Sequence, residues 1–230
     1  MKQQGAYRHE LKYQIRLTDY FALRQKLRAI MKPDSHAGVN GQYKVRSIYF
    51  DNVSDKALRE KVDGVAKREK FRLRYYNDDL SFIALEKKMK INNLCMKMDA
   101  RVTEEECRAI LEGRTEWMMA HPSNLVRELY CKMNSQQLRP RVLVSYTREP
   151  YVYDAGRVRV TFDFDIRTSL FHRAFLDAAA WDVPATDDPG QRILEVKYSA
   201  FLPEMISDLL QTEGIRLCAF SKYGTCRRYG

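Results

Sequence analysis

Basic residues occupy every second position of one segment that is otherwise typical of a β-strand. Side chains alternate between the two faces of a strand, so residues two positions apart lie on the same face. In the segment 67–76, the intervening residues Phe71, Leu73 and Tyr75 are aromatic or aliphatic. A row of basic side chains can bind phosphate oxygens, because arginine binds them bidentately and lysine acts as a compact point charge. The row consists of Arg68, Lys70, Arg72 and Arg74.

Glutamate and lysine recur at the same two-residue spacing in other strand-like segments. A carboxylate beside a phosphate site is favourable when a divalent cation lies between them, and one or two carboxylates usually hold Mg²⁺ or Mn²⁺ together with phosphate oxygens. We therefore predict that Glu10, Glu86 and Glu195 bind Mn²⁺ or Mg²⁺. Asp163 and Asp165 are further candidates. The pairs are Glu10 with Lys12, Glu86 with Lys88, and Glu195 with Lys197.

A solvated outer face would explain this alternation on any single strand. Charged pairs recur, however, on at least five strand-like segments, and the opposite faces are apolar enough to need covering. A sheet that closes around a charged, water-filled interior satisfies both observations. Arg157 and Arg159 share such a face with Thr161 and Asp163. The further side chains predicted to bind the polyanion are Arg46, Arg68, Lys70, Arg159 and Lys197.

Eight segments have the length and composition of β-strands, and turns or short helices join nearly all of them. Thr103 with Glu106 forms a capping box that predicts a helix start, and Gly113 suits the position after its end. Pro203 fits a first helical turn. The predicted strands are 7–16, 43–51, 67–76, 81–91, 94–102, 141–153, 157–166 and 193–199, and the predicted helices are 18–31, 54–64, 103–113, 123–137 and 203–214.

These elements predict an α+β fold, namely an eight-stranded antiparallel β-tunnel (barrel) with helices packed on the outside. Eight strands leave room for side chains or one elongated ligand. A triphosphate or a longer polyphosphate is such a ligand. The sequence contains no internal repeat, low-complexity segment or linker, so we expect a single domain over residues 1–230.

The net charge of +10 favours a polyanionic partner, which charge alone does not identify as nucleic acid, anionic lipid or phosphate compound. No pattern typical of specific nucleic-acid binding occurs, and no glycine-rich phosphate loop occurs. The apolar runs fall far short of the ~20 residues of a membrane span, and the first ten residues lack the apolar core of a signal peptide. The five scattered cysteines predict reduced thiols and a cytoplasmic location.

Several segments, in their order along the chain, resemble the VTC (vacuolar transporter chaperone) domain. This domain is the polyphosphate polymerase branch of the CYTH, or triphosphate tunnel metalloenzyme, superfamily. The segments are RHELKY (8–13), VRSIYFD (45–51), KVDGVAKREKFRLRYY (61–76), LEKKMK (85–90), SYTREPY (145–151), RVRVTFDFDIR (157–167), LEVKY (194–198) and AFSKYG (219–224).

The resemblance implies an enzyme that transfers the γ-phosphoryl group of ATP to a growing polyphosphate chain with Mn²⁺ or Mg²⁺. It assigns catalytic roles to basic residues and metal binding to the glutamate of the LEVKY segment, Glu195. It also matches Glu86 and Lys88 to the family's E-x-K strand. The implied catalytic residues are Lys12, Arg72, Arg74, Lys88, Arg148 and Lys222.

One departure concerns the first strand, where the superfamily pattern E-x-E-x-K is replaced by Arg8-x-Glu10-x-Lys12. The loss of one carboxylate weakens the case for a triphosphatase more than that for a polymerase. Hydrolysis of inorganic or organic triphosphates nevertheless stays open, as does a non-enzymatic module that binds polyphosphate or another polyanion. The expected partners are ATP or triphosphate and a polyphosphate chain. Delivery of the product across a membrane would require another protein, and the alternative is that no such delivery takes place.

Overall fold

The computed structural model describes residues 7–92, 94–169, 172–211 and 215–229. Its strands belong to one antiparallel sheet. They are β1 (His9–Ile15), β2 (Lys32–Pro33), β3 (Tyr43–Asp51), β4 (Lys67–Tyr76), β5 (Asp79–Ile91), β6 (Leu94–Val102), β7 (Arg139–Tyr153), β8 (Val158–Ser169), β9 (Val183–Pro184), β10 (Arg192–Tyr198) and β11 (Arg216–Leu217).

The sheet follows the order β11, β1, β10, β8, β7, β3, β4, β5, β6, while β2 pairs with β7 and β9 with β8. It curls until β1 and β6 meet, where Arg8 and Cys95 exchange two backbone hydrogen bonds of 2.9 Å. In the described part of the chain, this junction is an isolated bridge and not a full ladder. The predicted antiparallel tunnel is therefore confirmed as a fold, although its sheet is not fully closed.

All eight predicted strands are present, within a few residues at each end. The short strands β2, β9 and β11 were not predicted, because segments of two residues leave no alternation to detect. The predicted hairpin between β7 and β8 turns at Gly156, whose φ is 71°. A side chain there would also collide with the carbonyl oxygen of Phe201, so the turn requires glycine.

Along the chain, six α-helices are described between or after the strands. The predicted capping box of Thr103 and Glu106 is confirmed, and Gly113 adopts the left-handed conformation with a φ of 82°. Pro203 precedes its helix as the N-cap, and the predicted end of that helix, Gly214, lies outside the described residues. The helices are α1 (Leu17–Ile30), α2 (Lys56–Val62), α3 (Glu104–Glu112), α4 (Asn124–Ser135), α5 (Glu204–Leu210) and α6 (Lys222–Cys226).

None of these helices, in the residues described, combines the length and apolar character that a membrane crossing requires.

Two apolar clusters cover the outer face of the sheet. In the first, Leu73 and Leu85 of the sheet pack with Leu129 of α4 and Ile110 of α3. In the second, side chains of β8 and β10 pack with α1 and α5. Burying an aliphatic side chain of this size contributes about 1.5–3 kcal/mol. The helices thus hold the apolar faces of the strands outward and leave the charged faces inside.

A third apolar cluster lies on the inner face, where α6 enters the tunnel. Tyr223 and Cys226 of α6 are buried against Val142, Val144 and Ile193. Val142 and Val144 share the inner face of β7 with Arg148, and Ile193 shares the inner face of β10 with Glu195. The hydroxyl of Tyr223 donates a hydrogen bond to the Asp51 carboxylate at 2.5 Å. The C-terminal segment therefore fills part of the interior and brings its first residue, Lys222, into contact with the charged walls. The sequence analysis did not predict α6.

Candidate functional site

The first part of the site is a pair of arginines on β4, of which Arg74 is buried and Arg72 is partly buried. Arg72 donates hydrogen bonds to Glu86 at 2.7 Å and to the hydroxyl of Tyr49 at 2.7 Å. Arg74 donates to Ser47 at 2.9 Å and to the hydroxyl of Tyr146 at 3.1 Å. The two arginines point the same way because they are two residues apart on a strand whose intervening Leu73 packs into the outer core.

The second part is the carboxylate of Glu195, which is surrounded by basic groups. The Nζ atoms of Lys222 and Lys197 each lie 3.0 Å from it, and that of Lys12 lies at 3.2 Å. Arg148 approaches to 3.5 Å. Antiparallel register explains part of this arrangement, since Lys12 lies directly opposite Glu195 in the ladder of β1 and β10.

Asp163 contacts two of the same basic groups, Arg148 and Lys222, and is fully buried. It accepts two hydrogen bonds from Arg148, at 2.6 and 2.7 Å, and forms a salt bridge with Lys222 at 2.5 Å. The sequence analysis placed Asp163 only among further metal ligands. In the structure, Asp163 orients Arg148 and Lys222. It lies directly opposite Arg148 in the ladder of β7 and β8, so knowledge of the strand register would have predicted this ion pair.

Glu10 links β1 to β5 through an ion pair. Its carboxylate lies 2.5 Å from Lys88 of β5 and also contacts Lys12 at 3.8 Å and Lys197 at 3.9 Å. Glu10 lies on β1, at one side of the incomplete closure, and Lys88 lies on β5, the neighbour of the strand β6 at the other side. Their ion pair therefore helps to close the tunnel where the ladder is missing.

The aromatic ring of Tyr146 lies between the two parts of the site. Its hydroxyl accepts a hydrogen bond from Arg74, and the Lys222 ammonium and the Arg148 guanidinium lie 4.8 and 5.3 Å from its centroid. A cation near an aromatic face is attracted by the ring quadrupole. Tyr146 was not predicted, because a tyrosine on a strand is as typical of a core as of a site.

The carboxylates of this site stay ionised. Burial alone would raise the pKa of Glu195, but the surrounding lysines outweigh it and hold this pKa well below its ordinary value. Burial likewise opposes ionisation of Glu86, whose pKa is lowered by the charges of Arg72 and Arg74. Burial would lower the pKa of Lys12, but Glu195 and Glu10 raise it. The interior therefore consists of mutually compensating charges near neutral pH.

Tyr49 and Lys70 form a titratable pair next to the arginines. The Lys70 ammonium lies 5.4 Å from the centroid of the Tyr49 ring. Burial, with repulsion from Lys88, Lys12 and Arg72, lowers the pKa of Lys70 to about 7, although Tyr49 opposes this shift. Burial opposes the ionisation of Tyr49, but the charges of Arg72, Lys70 and Arg74 lower its pKa to about 7.

Most of the residues predicted to act together do converge on these linked clusters, but three basic residues do not. Arg46 points to the outer face and donates to the carbonyl oxygen of Ala174, which differs from its predicted place inside the tunnel. Arg68 donates to the carbonyl oxygen of Val65. Arg159 is held by Asp34 and by the hydroxyl of Tyr43. The converging residues are Glu10, Lys12, Lys70, Arg72, Arg74, Glu86, Lys88, Arg148, Glu195, Lys197 and Lys222.

The carboxylates fit a divalent cation only with help from the ligand. Glu10 and Glu195 both contact Lys12 and Lys197, whereas Glu86 is paired with arginines and Lys97. Among the described residues, no group of three histidine, cysteine, aspartate or glutamate side chains is arranged to hold a metal ion. One or two carboxylates with phosphate oxygens suffice for Mg²⁺. Glu195 and Glu10 meet that requirement, and the predicted set of three is divided between two places.

The fold and site together define an α+β antiparallel tunnel protein with a basic interior that contains carboxylates. A family model of the VTC domain matches residues 7–229, and the chain belongs to this family, as its segments predicted. Comparison with curated proteins found no match.

Solved structures resemble the chain at low sequence identity. A candidate adenylate cyclase from Bacillus halodurans is 14% identical, with 86% of this chain and 83% of that chain covered and a TM-score of 0.52. A protein from Pyrococcus horikoshii is 13% identical, with 97% and 99% covered and a TM-score of 0.49. The first likeness supports a shared fold.

We predict that proton uptake by Lys70 accompanies the binding of a polyanion. A bound anion favours the charged lysine, so affinity should fall as pH rises through about 7, by up to about tenfold per pH unit for each proton taken up. Ionisation of Tyr49 adds negative charge over the same range and acts in the same direction. Isothermal titration calorimetry with inorganic triphosphate at pH 6, 7 and 8 would measure the slope.

The variant Lys70→Met should flatten this pH dependence, while Lys67→Met should not, because Lys67 is exposed at the start of the same strand. The ligand's own titration affects all three proteins equally. Identical slopes for the wild type and Lys70→Met would contradict the prediction.

Proposed function

We propose that this protein is a metal-dependent phosphoryl transferase that acts on triphosphates. We further propose that it synthesises polyphosphate by transferring the γ-phosphoryl group of ATP to a growing chain. The observation that carries the proposal is that two basic clusters meet at Tyr146. Arg72 and Arg74 lie beside Glu86, and Lys12, Arg148 and Lys222 surround Glu195. The side chain of Tyr146 contacts Arg74 of the first cluster and Lys222 of the second. A triphosphate has charged oxygens along its whole length, which suits basic groups on both sides.

In the proposed reaction, a terminal phosphate oxygen of the acceptor attacks the γ-phosphorus atom of ATP. The bond from this phosphorus to the β,γ-bridging oxygen breaks, and ADP leaves. Phosphoryl transfer requires mainly positioning and charge stabilisation. The forked guanidinium groups of Arg72 and Arg74 would orient the phosphates, and the ammonium groups of Lys12 and Lys222 would neutralise charge on the transferred group. No covalent intermediate with the protein is needed.

A divalent cation, Mn²⁺ or Mg²⁺, would be held by Glu195 with Glu10. When bound, it would supply Lewis-acid stabilisation of negative charge on the phosphoryl oxygens. In its absence, Lys12 and Lys197 already lie against both carboxylates. These lysines can hold the carboxylates in place while the ligand enters.

The proposed partners are ATP and a polyphosphate chain, with a separate membrane protein for any delivery of the product across a membrane. Family membership and the first-strand pattern Arg8-x-Glu10-x-Lys12 support a polymerase over a triphosphatase. The buried carboxylates support an enzyme over a simple polyanion-binding module, because a carboxylate beside a bound anion is unfavourable without a cation between them.

The direct test is incubation of the purified protein with ATP and Mn²⁺, followed by phosphorus NMR and gel electrophoresis. A polymerase should yield ADP together with long phosphate chains. Release of free phosphate without chains would identify a triphosphatase and overturn the polymerase proposal. Triphosphate binding without turnover would identify a binding module.

We predict that Arg72→Ala weakens the binding of inorganic triphosphate by about ten- to a hundredfold, because it removes charge-assisted hydrogen bonds. Lys67→Ala is the matched control on the same strand, since this exposed lysine alternates with the inward arginines. Calorimetry at fixed ionic strength measures both. Equal losses in the two variants would show that only overall charge matters, and no loss in Arg72→Ala would remove this arginine from the site.

Glu195→Gln should lower turnover by roughly two orders of magnitude, the scale of a single charge-stabilising group in an active site. It should also raise the Mn²⁺ concentration needed for half-maximal rate, while triphosphate still binds through the arginines. Asp163→Asn is the control, because it also removes a carboxylate charge that pairs with Lys222 and Arg148, but Asp163 is not one of the two proposed metal ligands. Circular dichroism would verify folding. If both variants respond identically to Mn²⁺, Glu195 acts only as an ion-pair partner.

A further inference from the structure

Thr161 occupies a central position in the wall that holds Glu195. It lies on β8, directly opposite Glu195 of β10 on one side and Pro150 of β7 on the other. Val160 and Phe162, its neighbours in sequence, pack into the outer core. Thr161 therefore points inward, on the same face as Arg159 and Asp163.

The hydroxyl of Thr161 is buried without a hydrogen-bond partner. The residue is 1% exposed, and its Oγ1 atom makes no hydrogen bond within the described residues. Pro150, opposite, has no N–H to donate. Leaving a buried hydroxyl unpaired costs about 1–3 kcal/mol, and such groups in native proteins usually have a partner.

Three other hydroxyl groups on the inner face accept hydrogen bonds from arginines. Ser47 and Tyr146 accept hydrogen bonds from Arg74, and Tyr49 accepts one from Arg72. Thr161 differs from them because the basic groups around it are already engaged by carboxylates. Arg148 and Lys222, for example, are directed to Asp163 and Glu195.

We propose that the Thr161 hydroxyl donates a hydrogen bond to a phosphoryl oxygen of the triphosphate bound beside Glu195. The proposal rests on the proposed function, since it concerns the same ligand. A hydroxyl suits this position because it can donate to a phosphate oxygen without adding charge to a wall in which the charges already compensate one another. The lysines attract the phosphoryl group closest to Glu195 but do not fix its orientation. The hydrogen bond from Thr161 fixes that orientation.

The test is the pair of variants Thr161→Val and Thr161→Ser. Valine keeps the shape and removes the hydroxyl, so inorganic triphosphate should bind about tenfold more weakly. The melting temperature of the free protein should be unchanged or higher, because an unpaired buried group has been removed. Serine keeps the hydroxyl and should retain most of the affinity. Calorimetry and thermal unfolding measure these effects, with EDTA and separately with Mn²⁺.

Each outcome bears on a different part of the proposal. A lower melting temperature of free Thr161→Val, or its failure to fold, would show that the hydroxyl has a structural partner and would overturn the proposal. Unchanged triphosphate affinity in Thr161→Val would overturn it while leaving the proposed function intact. Loss of affinity seen only with Mn²⁺ would overturn the phosphate contact in favour of the metal's hydration shell. A wild-type protein that binds no triphosphate would overturn both proposals.

Discussion

The mutual compensation of buried charges around Glu195 is the constraint on which the rest of the structure depends. An uncompensated carboxylate in the interior would be strongly unfavourable, and so would an uncompensated cluster of lysines. Here Lys12, Lys197 and Lys222 each lie within 3.2 Å of Glu195. The three lysines come from β1, β10 and α6, so the ends of the chain must meet for the interior to be stable.

This constraint explains why the apolar clusters lie where they do. The outer helices cover the apolar faces of the strands, which forces the charged faces inward. The inner cluster around Tyr223 and Cys226 anchors α6 and thereby sets the position of Lys222. Replacing a buried ion pair with apolar residues is often neutral or stabilising. The highly charged interior therefore supports the proposal that this tunnel binds a charged ligand, because stability alone does not require it.

The inner face of most strands could be predicted because alternation has a period of two. In β4, Phe71, Leu73 and Tyr75 define the outer face unambiguously, and the basic row follows from it. Arg46 was misplaced because β3 is buried on both faces and carries no such contrast. In that strand, Ser47 and Tyr49 face the arginines, whereas Ile48 belongs to the outer core.

Other features of the site depend on contacts that alternation does not encode. Asp163 was recognisable as an inward carboxylate, but its pairing with Arg148 follows from the register of β7 and β8, which sequence spacing alone does not fix. The pairing of Glu10 with Lys88 follows from the curling of the sheet, since β1 and β5 are distant in strand order. The three predicted metal ligands were grouped because they share a local pattern, yet strand order places Glu86 among arginines.

The compensated interior also bears on how a ligand could enter. The triphosphate of the proposed function would compete with Glu10 and Glu195 for the same lysines, so its binding would exchange one set of ion pairs for another. The carboxylates released by this exchange would then lie beside phosphate oxygens. A divalent cation resolves that repulsion, because it is attracted to both groups. In this proposal, the same carboxylates stabilise the free protein through the lysines and would need a cation once the phosphates lie beside them.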